Sequence, residues 1–79
     1  MKNVKIRLST IADVRDFVNI VTRTDADIDL ISGRYIVDAK SIMGIFSLDL
    51  MQPIELSAHT ENEEVIAPLL ESLKPFIIE

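Results

Sequence analysis

Lys40-Ser41-Ile42-Met43-Gly44-Ile45-Phe46-Ser47-Leu48 joins a helix-capping hydroxyl to a short apolar helix. Ser41 is placed to cap it, because its oxygen can accept a bond from an orphan backbone amide one turn on. Five of the seven residues behind it are apolar. A helix this short cannot hide all of Ile42, Met43, Ile45, Phe46 and Leu48, so some of them face water. Those exposed groups stand beside a hydroxyl that a kinase can reach, the arrangement of a docking surface with a switch at its edge. Lys40, next to Ser41, is placed to offset the charge of an added phosphate.

Outward from this run the pattern is regular. Upstream, Ile28 and Leu30 alternate with Asp27 and Asp29, Ser32-Gly33 reads as a tight hairpin turn, and Tyr35, Val37 and Ala39 form the partner strand. Further up, Val4, Ile6 and Leu8 alternate with Lys5 and Arg7 as a half-buried strand. Ser9 or Thr10 then offers an N-cap, with Asp13 favourable in the first turn and Val14, Phe17, Val18 and Val21 at helical spacing up to Thr22–Thr24. Downstream, Ile54, Leu56 and Ala58 alternate with Glu55, Ser57 and His59 as a fourth strand with an outward polar face. Thr60 with Glu63 resembles a capping box, and Val65, Ile66, Leu69, Leu70 and Leu73 give a last helical stripe that Pro75 ends. Pro68 conflicts with that helix, which must kink there or begin its regular part later. The order is β-α-β-β-α-β-α. It predicts an α/β (α+β) open-faced sandwich, a four-stranded antiparallel sheet with three helices gathered on one face.

Length and composition narrow the function. Seventy-nine residues make one domain, 1–79, with a marginal core that uses nearly every apolar face. The hydrophobic content of 48% argues against disorder. The chain has no cysteine, so thiolate metal sites and disulfides are excluded and a reducing, cytoplasmic setting is expected. Met1-Lys2-Asn3-Val4-Lys5 lacks the apolar core of a signal peptide, and no apolar run is long enough to span a bilayer. A net charge of −5 disfavours nucleic acid and anionic membranes as partners. No cofactor is implied. Asp25, Asp27 and Asp29 lie at strand spacing with Asp38 across the hairpin; they read as a solvated sheet face rather than a cation site. No metal is expected, because the only histidine, His59, has no second imidazole to join it.

The Lys40–Leu48 run resembles the regulatory-serine segment of HPr, the histidine-containing phosphocarrier family of the bacterial sugar phosphotransferase system. The resemblance continues upstream without a gap through Val37-Asp38-Ala39 and Asp25-Ala26-Asp27-Ile28-Asp29-Leu30. Downstream it reaches the C-terminal helix, with a shorter connection around Gln52 to Thr60. It implies the HPr-like strand order 1-4-2-3. HPr proteins start their first helix with a phosphorylated histidine, followed two and three residues later by arginine and proline. The matching positions here are Thr10, Ala12 and Asp13. A phosphothreonine ester is a poor phosphoryl donor, and Asp13 places negative charge where the phosphate would sit. No catalytic residue is therefore expected.

The resemblance further implies regulatory phosphorylation at Ser41 and a partner-binding surface of Ile42, Met43 and Phe46. It is similar in logic to the catabolite-repression paralogue of HPr in Gram-positive bacteria. That paralogue lacks the histidine, keeps the serine, is phosphorylated by HPr kinase and then binds a transcriptional regulator. It retains the arginine and proline that this chain lacks. Three readings stay open: a non-catalytic regulatory interaction module switched at Ser41, a phosphocarrier, and a structural interaction module that uses the HPr fold.

Overall fold

The computed structural model describes residues 2–78; Met1 and Glu79, the ends of the expected domain, lie outside the described residues. The elements are β1 (Lys2–Ile6), α1 (Ile11–Val21), β2 (Ile28–Ser32), β3 (Tyr35–Asp38), α2 (Ile42–Phe46), β4 (Ile54–Ala58) and α3 (Glu63–Ser72), followed by a 3-10 turn, Lys74–Phe76. The strands form one antiparallel sheet in the order β1-β4-β2-β3. This is the expected architecture and strand order.

Alternation dictates which face is covered. Ile6 on β1, Ile28 and Leu30 on β2, and Ile54, Leu56 and Ala58 on β4 are all buried. Val14, Phe17 and Val21 close on them from α1, Ile45 from α2, and Leu69 from α3. Phe17 and Phe76 meet edge to face, with centroids 6.2 Å apart and planes at 84°, the arrangement that the ring quadrupoles favour. The β2–β3 hairpin turns through Gly33-Arg34, with Ser32 opposite Tyr35. Gly33 takes φ 61°, the positive value required at the first central residue of a type II′ turn.

Several expectations are corrected. Ser57 is buried although it points away from the helices, because β4 is a central strand and Asn3 and Asp29 flank its small side chain on either side. His59 lies one residue beyond β4. Its N–H reaches the Asp27 carbonyl at 2.8 Å without joining the ladder. Tyr35 is exposed, because β3 is an edge strand. The cap of α3 is Asn62, whose side chain accepts from Glu64 N at 2.9 Å; Thr60 Oγ1 instead accepts from Asn62 N. Pro68 does not delay α3, which starts at Glu63 and runs to Ser72. Pro68 lies on the exposed side, and burial of Ile66, Leu69 and Leu73 outweighs the bond it cannot make.

The two sheet edges differ. Beside β1, the Arg7 amide donates to the Phe76 carbonyl at 2.8 Å, the Ile78 amide donates to the Lys5 carbonyl at 3.0 Å, and Ile6 bridges Ile77. The C-terminal segment thus seals that edge. On β3 no described residue lies beyond the strand.

Candidate functional site

Two helix N-termini hold the residues that carry chemistry in the sequence. At α1 the cap is Thr10, in extended conformation with φ −131°. Its Oγ1 accepts from Asp13 N at 3.0 Å, and the Asp13 carboxylate returns to accept from the Ser9 and Thr10 amides at 3.0 and 3.3 Å. This reciprocal box satisfies the Ser9, Thr10 and Asp13 amides from within the chain. A carboxylate therefore stands at the start of the helix, where its charge opposes the binding of an external anion. Ala12 is exposed and supplies no charge.

At α2 the cap is Ser41, with φ −100°, its Oγ accepting from Gly44 N at 3.2 Å. The helix is shorter than the sequence implies. It ends at Phe46, where Ser47 N reaches the Gly44 carbonyl and Leu48 N the Ile45 carbonyl, tightening the chain into i to i−3 bonds. Ser47 Oγ adds a donor to the same Gly44 carbonyl. Gly44 lets the turn lie close to the sheet: a Cβ there would stand 3.2 Å from Ser41 Oγ and 3.3 Å from Val37 Cβ.

The apolar residues of this run divide into two sets. Ile45 and Leu48 are buried, while Ile42, Met43 and Phe46 face water at 38%, 77% and 42% exposure. All three expected surface residues therefore lie together on α2, beside an exposed Ser41. They are not equal: Met43 stands free, whereas more than half of Phe46 is covered. Lys40 is corrected. Its ammonium donates to the Thr24 carbonyl at 2.7 Å, tying the Ser41 loop to the end of α1 and leaving its charge engaged there. Its amide is held by the Asp38 carboxylate at 2.9 Å.

Away from the helices, His59 Nε2 meets Asp29 Oδ2 at 2.7 Å, with both side chains more than a third exposed. Asp27 and Asp38 border the same depression. No group of three or more such side chains among the described residues is arranged to hold a metal ion. The sequence reading missed the His59–Asp29 pair because its partners lie 30 positions apart. No described helix is long and apolar enough to cross a membrane.

A four-stranded sheet in the order 1-4-2-3, three helices on one face and three capped helix starts define the open-faced α/β sandwich class. Solved structures then give the family. The crystal structure of HPr-C-His from Thermoanaerobacter tengcongensis matches with 30% identity and a TM-score of 0.74, covering 94% of this chain and 92% of that one. The crystal structure of a phosphocarrier protein HPr from Bacillus anthracis str. Ames matches with 26% identity and a TM-score of 0.66, covering 90% of this chain and 94% of that one. The chain belongs to the HPr-like family. It matches no family model and no curated protein.

Proposed function

We propose that the chain, as one HPr-like domain over residues 1–79, is a non-catalytic regulatory protein of the sugar phosphotransferase system. It works by binding other proteins through Ile42, Met43 and Phe46 and is switched by phosphorylation at Ser41. The observation that carries this reading is the contrast between the two helix starts. Around Thr10 the Ser9, Thr10 and Asp13 amides are engaged by Thr10 and Asp13, and positions 10 and 12 carry neither an imidazole to receive a phosphoryl group nor a guanidinium to steady it. Around Ser41 a solvent-facing hydroxyl adjoins exposed apolar groups. A phosphate there adds charge at the rim of the patch without disturbing the core, which α2 enters through Ile45 alone. The partners this implies are HPr kinase and a transcriptional regulator, in the cytoplasm.

The second reading, a phosphocarrier, is favoured by the similarity to the Bacillus anthracis phosphocarrier. One experiment separates the two. The protein is incubated with labelled phosphoenolpyruvate and the general enzyme that charges HPr, and in parallel with HPr kinase and ATP. The regulatory reading expects no label in the first reaction and a single phosphoserine at Ser41 by mass spectrometry in the second. Thr10→His is expected to remain unlabelled as well, because the Asp13 charge stays at the helix start and Ala12 supplies no guanidinium. Stoichiometric acid-labile phosphate from the first reaction supports the carrier and overturns the regulatory reading. No phosphate from either leaves Ser41 as a structural cap in an interaction module.

A further inference from the structure

The β3 edge carries a self-complementary sequence, Arg34-Tyr35-Ile36-Val37-Asp38, and we propose that it is the interface through which a second copy of this chain binds, β3 to β3, to form one continuous eight-stranded sheet.

The backbone geometry comes first. Ala39 N donates to the Ile28 carbonyl at 2.9 Å, and the register pairs Leu30 with Val37 and Ser32 with Tyr35. In an antiparallel ladder hydrogen-bonding residues alternate, so Tyr35, Val37 and Ala39 turn their amides and carbonyls toward β2. Ile36 turns its amide and carbonyl outward, to the open side of the edge. At the opposite edge of the sheet the C-terminal segment covers the chain from Lys5 to Arg7.

The side chains fit the same axis. When two antiparallel β3 strands meet about a twofold axis through Ile36, Ile36 faces Ile36 of the second copy and the two exchange both backbone bonds. Tyr35 then stands opposite Val37, an aromatic with a β-branched residue. Arg34 stands opposite Asp38 at both ends of the ladder. Ile36 and Asp38 share one face of the strand and Tyr35 and Val37 the other, so the strand pairs lie on a common face as antiparallel pairing demands, while Arg34 joins from the turn that precedes the strand. Tyr35 and Ile36 are 69% and 66% exposed, large apolar groups of the kind that edge strands ordinarily avoid. The pairing is isologous and closes at two copies, as twofold symmetry requires. A shift of the axis by one residue, to Val37, would put Ile36 against Asp38 and Arg34 against Lys40 and lose both charge pairs. The sequence therefore selects one register. The strand is only four residues long, and the net charge of −5 on each copy opposes contact, so the dimer forms at high protein concentration and not at trace levels.

Sedimentation equilibrium at physiological salt, from micromolar to millimolar protein, is expected to show a monomer–dimer equilibrium. In the same range the Ile36 amide is expected to become protected from hydrogen exchange as concentration rises. Ile36→Lys sets two ammonium groups against each other on the axis and is expected to leave a folded monomer throughout. Arg34→Glu, at an exposed turn position, turns two attractive pairs into two repulsive ones and is expected to lower the association constant about tenfold or more. Circular dichroism melts confirm that each variant folds. A wild-type monomer at millimolar concentration overturns the proposal, as does a dimer that survives Ile36→Lys, which would place the contact elsewhere, such as on Met43 and Phe46.

Discussion

Replacing Met43 and Phe46 by Gln, one at a time, separates a residue that only faces outward from one that also holds its helix down. The exposures differ, 77% against 42%. A fully enclosed aromatic side chain buries about 150–250 Å², so the covered part of Phe46 corresponds to roughly 100 Å². At ~25 cal/mol per Å² that is ~2.5 kcal/mol as an upper bound. The unfolded chain already hides part of this area, and the Gln stem keeps some of the contact, leaving ~1–2 kcal/mol for Phe46→Gln. In a domain of this size each kcal/mol moves the midpoint by ~4–8 °C, so Phe46→Gln lowers Tm by about 5–15 °C. Met43→Gln, at a freely exposed position, costs under ~0.5 kcal/mol. Thermal melts followed by circular dichroism at several heating rates give both values. Equal losses for the two variants, or an unchanged Tm for Phe46→Gln, would show that α2 sits differently on the sheet and would refute the division of its residues. Met43→Gln is consequently the cleaner variant for partner binding, because a binding defect there cannot be ascribed to unfolding.

Ser41→Ala removes one exposed capping bond of 3.2 Å on a five-residue helix and is expected to cost ~0.5–1 kcal/mol, with Ser41→Asp recovering most of it, as denaturant titration will show. Gly33→Ala meets no neighbouring atom within 4 Å, so its whole cost is backbone strain at φ 61°, ~1–2 kcal/mol by the same titration. His59→Ala removes the contact with Asp29, but both groups are well solvated and the loss is at most ~1 kcal/mol by the same titration.

Local grammar made much of this protein legible. The alternation in Val4–Ile6, Ile28–Leu30 and Ile54–Ala58, the hydroxyl before Ile42 and the glycine in the hairpin each act within a few residues, and each element formed close to its expected place. What escaped the sequence reading depends on neighbours far along the chain. Ser57 looks like any surface serine until β4 is known to lie in the middle of the sheet. Lys40 looks like a counter-charge for Ser41 until α1 brings the Thr24 carbonyl within reach. Phe76-Ile77-Ile78 has no period of its own, so nothing in it announces a segment that seals β1. The strand order itself came from resemblance to a family and not from pattern. At the sites the same division holds: the Ser41 cap and the exposure of Met43 were readable, whereas the reciprocal bonds of Asp13 to Ser9 and Thr10 required the actual turn.

The sealing of β1 bears on how the chain comes into being. The β2–β3 hairpin can close as soon as its two strands have left the ribosome, since its partners are neighbours in sequence. β1 cannot. It is made first, yet its ladder partner is β4 and its outer bonds wait for Phe76 and Ile78. Until β4 emerges, Val4 and Ile6 remain an apolar strand with both edges open, and the outer bonds wait further for Phe76 and Ile78. Completion of the sheet thus waits for Phe76–Ile78. A chain stalled before Phe76 would present an unsealed strand to whatever else is folding nearby.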